Sequence, residues 1–108
     1  MIDVIYLPAD PFLLSANRAM CGFAITLAWA DRNGRSWNEL SARLRDLSRR
    51  CRQLGGRIHI VKNVEAYPDD LAEMYRPAFD RFLALKKRYD PRGTLRNEFF
   101  DRIFGAKA

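Results

Sequence analysis

The chain has 108 residues, which is room for one domain and one core, so residues 1–108 read as a single unit. With 48% apolar and 30% charged residues it is too apolar for a disordered segment, and too short for a two-domain enzyme that carries its own dinucleotide-binding fold. Its longest apolar run, residues 19–30, is too short to cross a bilayer. Asp3 and Pro8 stand where a signal peptide needs a basic stretch and an apolar run. The two cysteines, Cys21 and Cys51, are too few for a disulfide scaffold and point to a reducing, cytoplasmic setting. A net charge of +6 suits an anionic surface, nucleic acid or a phosphate-bearing cofactor, and equally suits solubility alone.

Residues 2–7 are rich in β-branched and aromatic side chains and end at Pro8, which predicts a strand. Residues 8–17 carry turn chemistry in Asp10-Pro11 and Ser15-Ala16-Asn17. From Cys21 to Trp29, Phe23, Ile25, Leu27 and Trp29 alternate with Ala24, Thr26 and Ala28, and this period predicts a second strand. Its small-residue face is expected to pack closely or to wall a cavity. Asp31-Arg32-Asn33-Gly34 reads as a turn.

Ser36, with Glu39 after it, opens a helix as a capping box. Trp37, Leu40, Leu44, Leu47, Cys51 and Leu54 form its apolar stripe, expected to lie against the sheet. The arginines fall mostly off that stripe and are expected to be solvated. Gly55-Gly56 ends the helix. Residues 57–61, with Ile58, Ile60 and Val61, predict a third strand. A short helix over residues 69–75 follows, then a longer one from Pro77 to Tyr89, because Pro77 cannot sit within a straight helix. Asp90-Pro91-Arg92-Gly93 is a stop, and Leu95, Phe99, Phe100, Ile103 and Phe104 mark an amphipathic tail that docks on the core. This order predicts an α+β fold: a small antiparallel or mixed sheet with helices on one face, half of a ferredoxin-like fold or a fragment of one.

One histidine excludes a histidine-based metal cluster, and the cysteines lack partners at zinc spacing, so no metal is expected. No dinucleotide, Walker or serine-elbow motif is present. The arginine-rich helix lacks aromatics on its polar face, so no nucleic-acid partner is expected. Asp69-Asp70 sits at a helix start, where complementing the dipole accounts for it. What remains is His59-Ile60-Val61-Lys62. On a strand these two polar groups face opposite sides, so they share a site only if the strand ends or bulges between them. Read alone, they are an ordinary strand residue and a solvated charge.

Residues 55–63, Gly-Gly-Arg-Ile-His-Ile-Val-Lys-Asn, resemble the GGR-x-aromatic/His-x-x-K-D/N segment of FAD-dependent oxidoreductases of the vanillyl-alcohol oxidase type. Residues 82–97 resemble the F-x-x-x-K-x-x-x-D-P-x-G-x-F-x-N ending of the same enzymes, and Lys86-Lys87-Arg88-Tyr89-Asp90-Pro91 with Gly93 is its most specific part. Asp10 to Ser15 and the strand ending in Ala28-Trp29 resemble the D-x-x-x-L-S … T-W stretch of the lactone oxidases. The nearest branches are the aldonolactone and alditol oxidases and the decaprenylphosphoryl-ribose oxidases.

The resemblance implies a C-terminal cap and substrate part of a larger flavoenzyme, like D-arabinono-1,4-lactone oxidase. The whole would remove a hydride from an alcohol carbon, and an N-terminal FAD-binding domain would hold most of the FAD. It implies Lys62 and His59 as catalytic residues and Lys62, His59 and Asn97 as cofactor contacts. The substrate would be a small alcohol, sugar or lactone. The isolated part would be inactive, and its place cytoplasmic or at the inner-membrane surface. Three positions depart from the sugar-oxidising pattern. Asp3 and Ile5 stand in place of a Glu-x-Arg pair, and Ala28 in place of a threonine, which removes polar partners for a polyol. The alternative reading is a stand-alone α+β interaction or small-ligand domain without catalysis.

Overall fold

A computed structural model describes residues 1–28, 34, 36–62 and 64–105. The turn expected at Asp31–Asn33, and with it Trp29 and Asn63, lies outside the described residues. The elements run β1 (Ile2–Leu7), β2 (Gly22–Leu27), α1 (Trp37–Gln53), α2 (Pro68–Met74), α3 (Ala78–Tyr89) and α4 (Glu98–Phe104). The architecture is α+β, as expected, with a two-stranded antiparallel sheet.

The sheet does not carry the core. Ile2, Val4 and Tyr6 pair with Leu27, Ile25 and Phe23, and directly opposed residues share a face, so one side of the hairpin is continuously apolar. Tyr6 and Phe23 meet edge to face at 5.7 Å. All of these side chains are nevertheless exposed, as are Thr26 and Ala28 on the other side. Of the small-residue positions Ala24, Thr26 and Ala28, Ala24 alone is half-buried among the described residues, so the expected close packing is limited to that position.

The core instead lies among residues 64–104: Val64, Leu71, Met74, Tyr75, Phe79, Ile103 and Phe104 are buried together. Phe104 stacks on Phe79 at 5.1 Å and on Phe100 at 5.2 Å, so the tail docks on the core as its apolar spacing implied.

The third strand does not form. Residues 56–59 take no regular structure, and the chain then turns, with the Lys62 N–H donating to the His59 carbonyl at 3.4 Å. The β-branched run is used differently: Ile58 and Ile60 pack singly against the helical core.

Helix α1 forms where its pattern placed it, and Ser36 Oγ accepts from the Glu39 N–H at 3.4 Å. Gly55, at φ +77, gives its N–H to the Arg52 carbonyl, and the Gly56 N–H reaches the Cys51 carbonyl at 2.9 Å, a Schellman ending.

The face that α1 packs is not the expected one. Its buried residues are Ser41 and Ser48; of the apolar stripe Leu40, Leu44 and Cys51 are half-buried, whereas Trp37, Leu47 and Leu54 are exposed. Ser41 Oγ donates to Glu65 Oε2 at 2.6 Å, and Ser48 Oγ donates to the Glu65 carbonyl at 2.7 Å. Arg45 pairs with Glu65, Arg49 and Arg52 with the buried Asp70, and Arg52 also with Glu73. The Arg49 guanidinium also lies 4.5 Å from the centre of the Tyr67 ring. These arginines therefore tie α1 to α2 and to Glu65 in the segment before it, and are not simply solvated. Residues 41, 45, 48, 49 and 52 follow helical spacing, so the serine–arginine stripe is itself a contact face. The acids waiting on α2 turned that stripe inward. Asp70, read as dipole chemistry, is the receiving group.

Candidate functional site

The site is framed by three loops. The first, residues 10–19, closes on itself. Asp10 accepts from the Phe12 N–H at 2.9 Å and from Ser15 Oγ at 2.6 Å, and the Asp10 N–H reaches the Asn17 carbonyl at 3.3 Å. The Arg18 guanidinium returns to the Pro11 carbonyl at 2.9 Å.

The second loop is the corner at residues 56–62. Gly56 packs so tightly on Cys51 that an added Cβ would lie 2.6 Å from its Sγ. Arg57 Nη1 donates to the Arg18 carbonyl at 2.8 Å and more weakly to that of Ala16 at 3.4 Å. Its guanidinium lies 5.9 Å from the centre of the Tyr75 ring. Tyr75 Oη donates to the Ile58 carbonyl at 2.6 Å, and burial pushes its phenol up to about 12, so it remains a donor at neutral pH.

The third loop, residues 90–97, is organised by Asp90. This buried carboxylate accepts from the Lys86 ammonium, from the Thr94 N–H and Oγ1 at 2.8 and 2.9 Å, and from the Leu95 N–H at 2.9 Å. The ammonium first, then the amide and hydroxyl donors, hold the carboxyl well below the usual carboxylate range. Gly93, at φ +65, donates to the Asp90 carbonyl and completes the turn.

Two cavities open between these loops, and Leu14 and Ile60 line both. The smaller, about 330 Å³, is lined by Phe12, Leu14, Ser15, Ala16, His59, Ile60 and Val61. The larger, about 550 Å³, has Phe82, Phe99, Phe100 and Phe104 as its apolar wall, with Thr94, Leu95, Arg96 and Asn97 at its polar side.

The structure thus puts His59 on the lining of the smaller cavity and Asn97 on that of the larger one, both of them exposed. Lys62 is exposed one turn beyond His59 and lines neither. It makes no ion pair among the described residues. The Asn97 Oδ1 is committed to the Phe100 N–H at 2.7 Å, as the N-cap of α4. The parity conflict between His59 and Lys62 does not arise, because a turn links them in place of a strand.

Two residues that frame the site were missed in the sequence. Arg57 carried its signal in its place between a glycine pair and a β-branched run. Asp90 carried its own in the Asp-Pro-x-Gly-Thr order, which places backbone donors round one carboxylate. Among the described residues no cluster could hold a metal ion, and no helix is long and apolar enough to cross a membrane.

A family model for D-arabinono-1,4-lactone oxidase matches residues 15–103. The chain belongs to that family. The lactone oxidase match takes in all three loops except the first part of the 10–19 loop. The chain is also 36% identical over 53 residues to L-gulonolactone oxidase of Bos taurus, a stretch that covers 49% of this chain and 12% of that protein. The matched stretch is therefore a small part of the relative's length. No solved structure matches the chain.

Proposed function

We propose that this chain is the ring-facing, substrate-shaping part of an FAD-linked oxidase or dehydrogenase that removes a hydride from the alcohol carbon of a small alcohol, sugar or lactone. The observation that carries this reading is the position of the His59–Lys62 turn: it falls within the lactone oxidase match and beside an open cavity. The residue types suit the edge of a flavin ring, since an exposed ammonium, an imidazole and a side-chain amide are all hydrogen-bond donors or can become so, although Lys62 lines neither cavity and His59 and Asn97 line different ones. The chain has no glycine-rich phosphate loop, so the pyrophosphate falls to an N-terminal FAD-binding part.

FAD, when bound, supplies the hydride acceptor. Lys62 then serves as the cation that stabilises negative charge developing as the hydride leaves, the kind of preorganised charge that acts on the transition state. His59, exposed on the lining of the smaller cavity, orients the substrate hydroxyl or takes its proton. Asn97 contributes its amide N–H groups, its oxygen being engaged by the α4 cap. Ile5 and Ala28 offer no equivalent of the arginine and threonine and lie exposed, so an alcohol less polar than a sugar polyol fits better.

The test is anaerobic mixing of the flavin-loaded protein containing this chain with a panel of aldonolactones and primary alcohols. Bleaching of the flavin by at least one of them is expected. A flavin that none of them bleaches contradicts the reading. It favours instead an interaction domain, for which the open apolar face of the hairpin is the supporting observation. The isolated chain is expected to be inactive and to bind FAD only weakly. Sub-micromolar binding in a titration contradicts that division of labour.

A further inference from the structure

We infer that Arg57 is a positioning residue: its guanidinium fixes the 10–19 loop against the His59 turn and thereby sets the shape of the cavity that His59 lines. Its place in any reaction rests on the proposed flavin-ring reading, whereas the geometry belongs to the chain alone.

The cavity has two walls from distant parts of the sequence. Phe12, Leu14, Ser15 and Ala16 form one, and His59, Ile60 and Val61 the other. The hydrogen bonds within the 10–19 loop all close the loop on itself or on Pro8, so they give it a shape, and its placement is left to Leu14, which packs against the core, and to the polar contacts it makes with Arg57. The Arg57 side chain spans the gap. It donates to the Ala16 and Arg18 carbonyls on one side, and on the other it is two residues from His59 in the chain. The Arg18 carbonyl is itself presented by a left-handed residue, Ala19 at φ 56. The inner end of the bridge is also fixed. Tyr75, buried in the core, lies beside the guanidinium and donates from its hydroxyl to the Ile58 carbonyl. Arg57 faces no carboxylate among the described residues, so its charge is directed to carbonyl oxygens and an aromatic face. A planar fork that can reach two carbonyls and pack on a ring suits arginine, and a lysine has only a point charge to offer.

The chain contains one histidine, so its ring signals in a carbon–proton NMR spectrum report this cavity without ambiguity. Spectra of the 108-residue chain at fixed pH are compared with those of Arg57→Gln and Arg57→Lys. In Arg57→Gln the His59 ring signals and the Leu14 and Ala16 methyl signals are expected to move by several linewidths, while the Val64 and Leu71 methyl signals hold. Arg57→Lys should bring the signals part of the way back. The inference is overturned if the His59, Leu14 and Ala16 signals stay in place. It is equally overturned if Val64 and Leu71 move as far, because Arg57 is then a general staple of the fold. Should Arg57→Gln not fold, Arg57→Lys is judged by the same signals against wild type. Flavin reduction in the loaded protein separates the two readings. Shifted His59 signals with an unchanged reduction rate keep Arg57 as the positioning residue of this cavity and remove the cavity from the reaction.

Discussion

The packing of α1 makes a sharp thermodynamic prediction, because a substitution on its apolar stripe and one at the α2 carboxylate that receives its arginines should rank against the apolar pattern. Leu47 belongs to the apolar stripe but is 47% exposed. Full burial of a leucine is worth about 1.5–3 kcal/mol, and roughly half of that is in place here with no enclosed cavity to leave behind, so Leu47→Ala should cost about 1 kcal/mol. Asp70 is 6% exposed and receives Arg49 Nε at 3.1 Å and Arg52 Nε at 2.8 Å. Hydrogen bonds to charged groups are worth about 1.5–3 kcal/mol each, but partly exposed guanidinium groups rehydrate when released, so Asp70→Ala should cost about 2 kcal/mol in all. Urea unfolding of the two variants, with equal slopes required for the comparison, gives both numbers. A larger loss for Leu47→Ala than for Asp70→Ala refutes the serine–arginine face.

The glycine pair and Asp90 give further tests. Gly56→Ala places a methyl 2.6 Å from Cys51 Sγ and 3.1 Å from the Cys51 carbonyl oxygen, so it should cost about 1–3 kcal/mol by overpacking. The double variant with Cys51→Ala should recover part of this in the same melts; full additivity of the two changes rules out the contact. The Asp90 carboxyl is depressed in the fold, so its contribution is present above the ordinary value of about 3.9 and is lost as pH falls towards the folded value. Thermal melts should therefore fall more steeply below about pH 4 in wild type than in Asp90→Asn, and parallel profiles contradict the role given to Asp90.

Local chemistry was legible in the sequence and long-range partnership was not. The Ser36 cap, the Gly55-Gly56 ending, the break at Pro77 and the Asp90–Gly93 stop all depend on neighbouring residues, and each appears where its residues stand. The face of α1 depends on Glu65, Asp70 and Glu73, which lie far along the chain, so periodicity alone chose the leucine stripe over the serine–arginine stripe. The β-branched run at residues 57–61 had no neighbouring strand to pair with, and β propensity without a partner does not make a ladder. The apolar ladder of Tyr6, Val4 and Ile2 with Phe23, Ile25 and Leu27 was readable as alternation, while the surface that would cover it is not among the described residues. His59, Lys62 and Asn97 were singled out through a motif, and of the three His59 and Asn97 line cavities while Lys62 does not. Arg57 and Asp90 act through backbone carbonyls and amides, which leave little trace in side-chain pattern.

The central claim is that Lys62 supplies charge to a hydride transfer, and the rate of flavin reduction tests it most directly. In stopped-flow mixing of the flavin-loaded protein with a substrate that bleaches it, Lys62→Ala should slow reduction by about 100- to 1000-fold, the scale for loss of one preorganised charge-stabilising donor. Lys62→Met, which keeps the bulk and removes the charge, should match the alanine variant. Substrate affinity should change less, because the lysine acts on charge that appears only as the hydride leaves. Reduction at near-wild-type rates in both variants contradicts the account and leaves Lys62 a solvated charge beside a cavity.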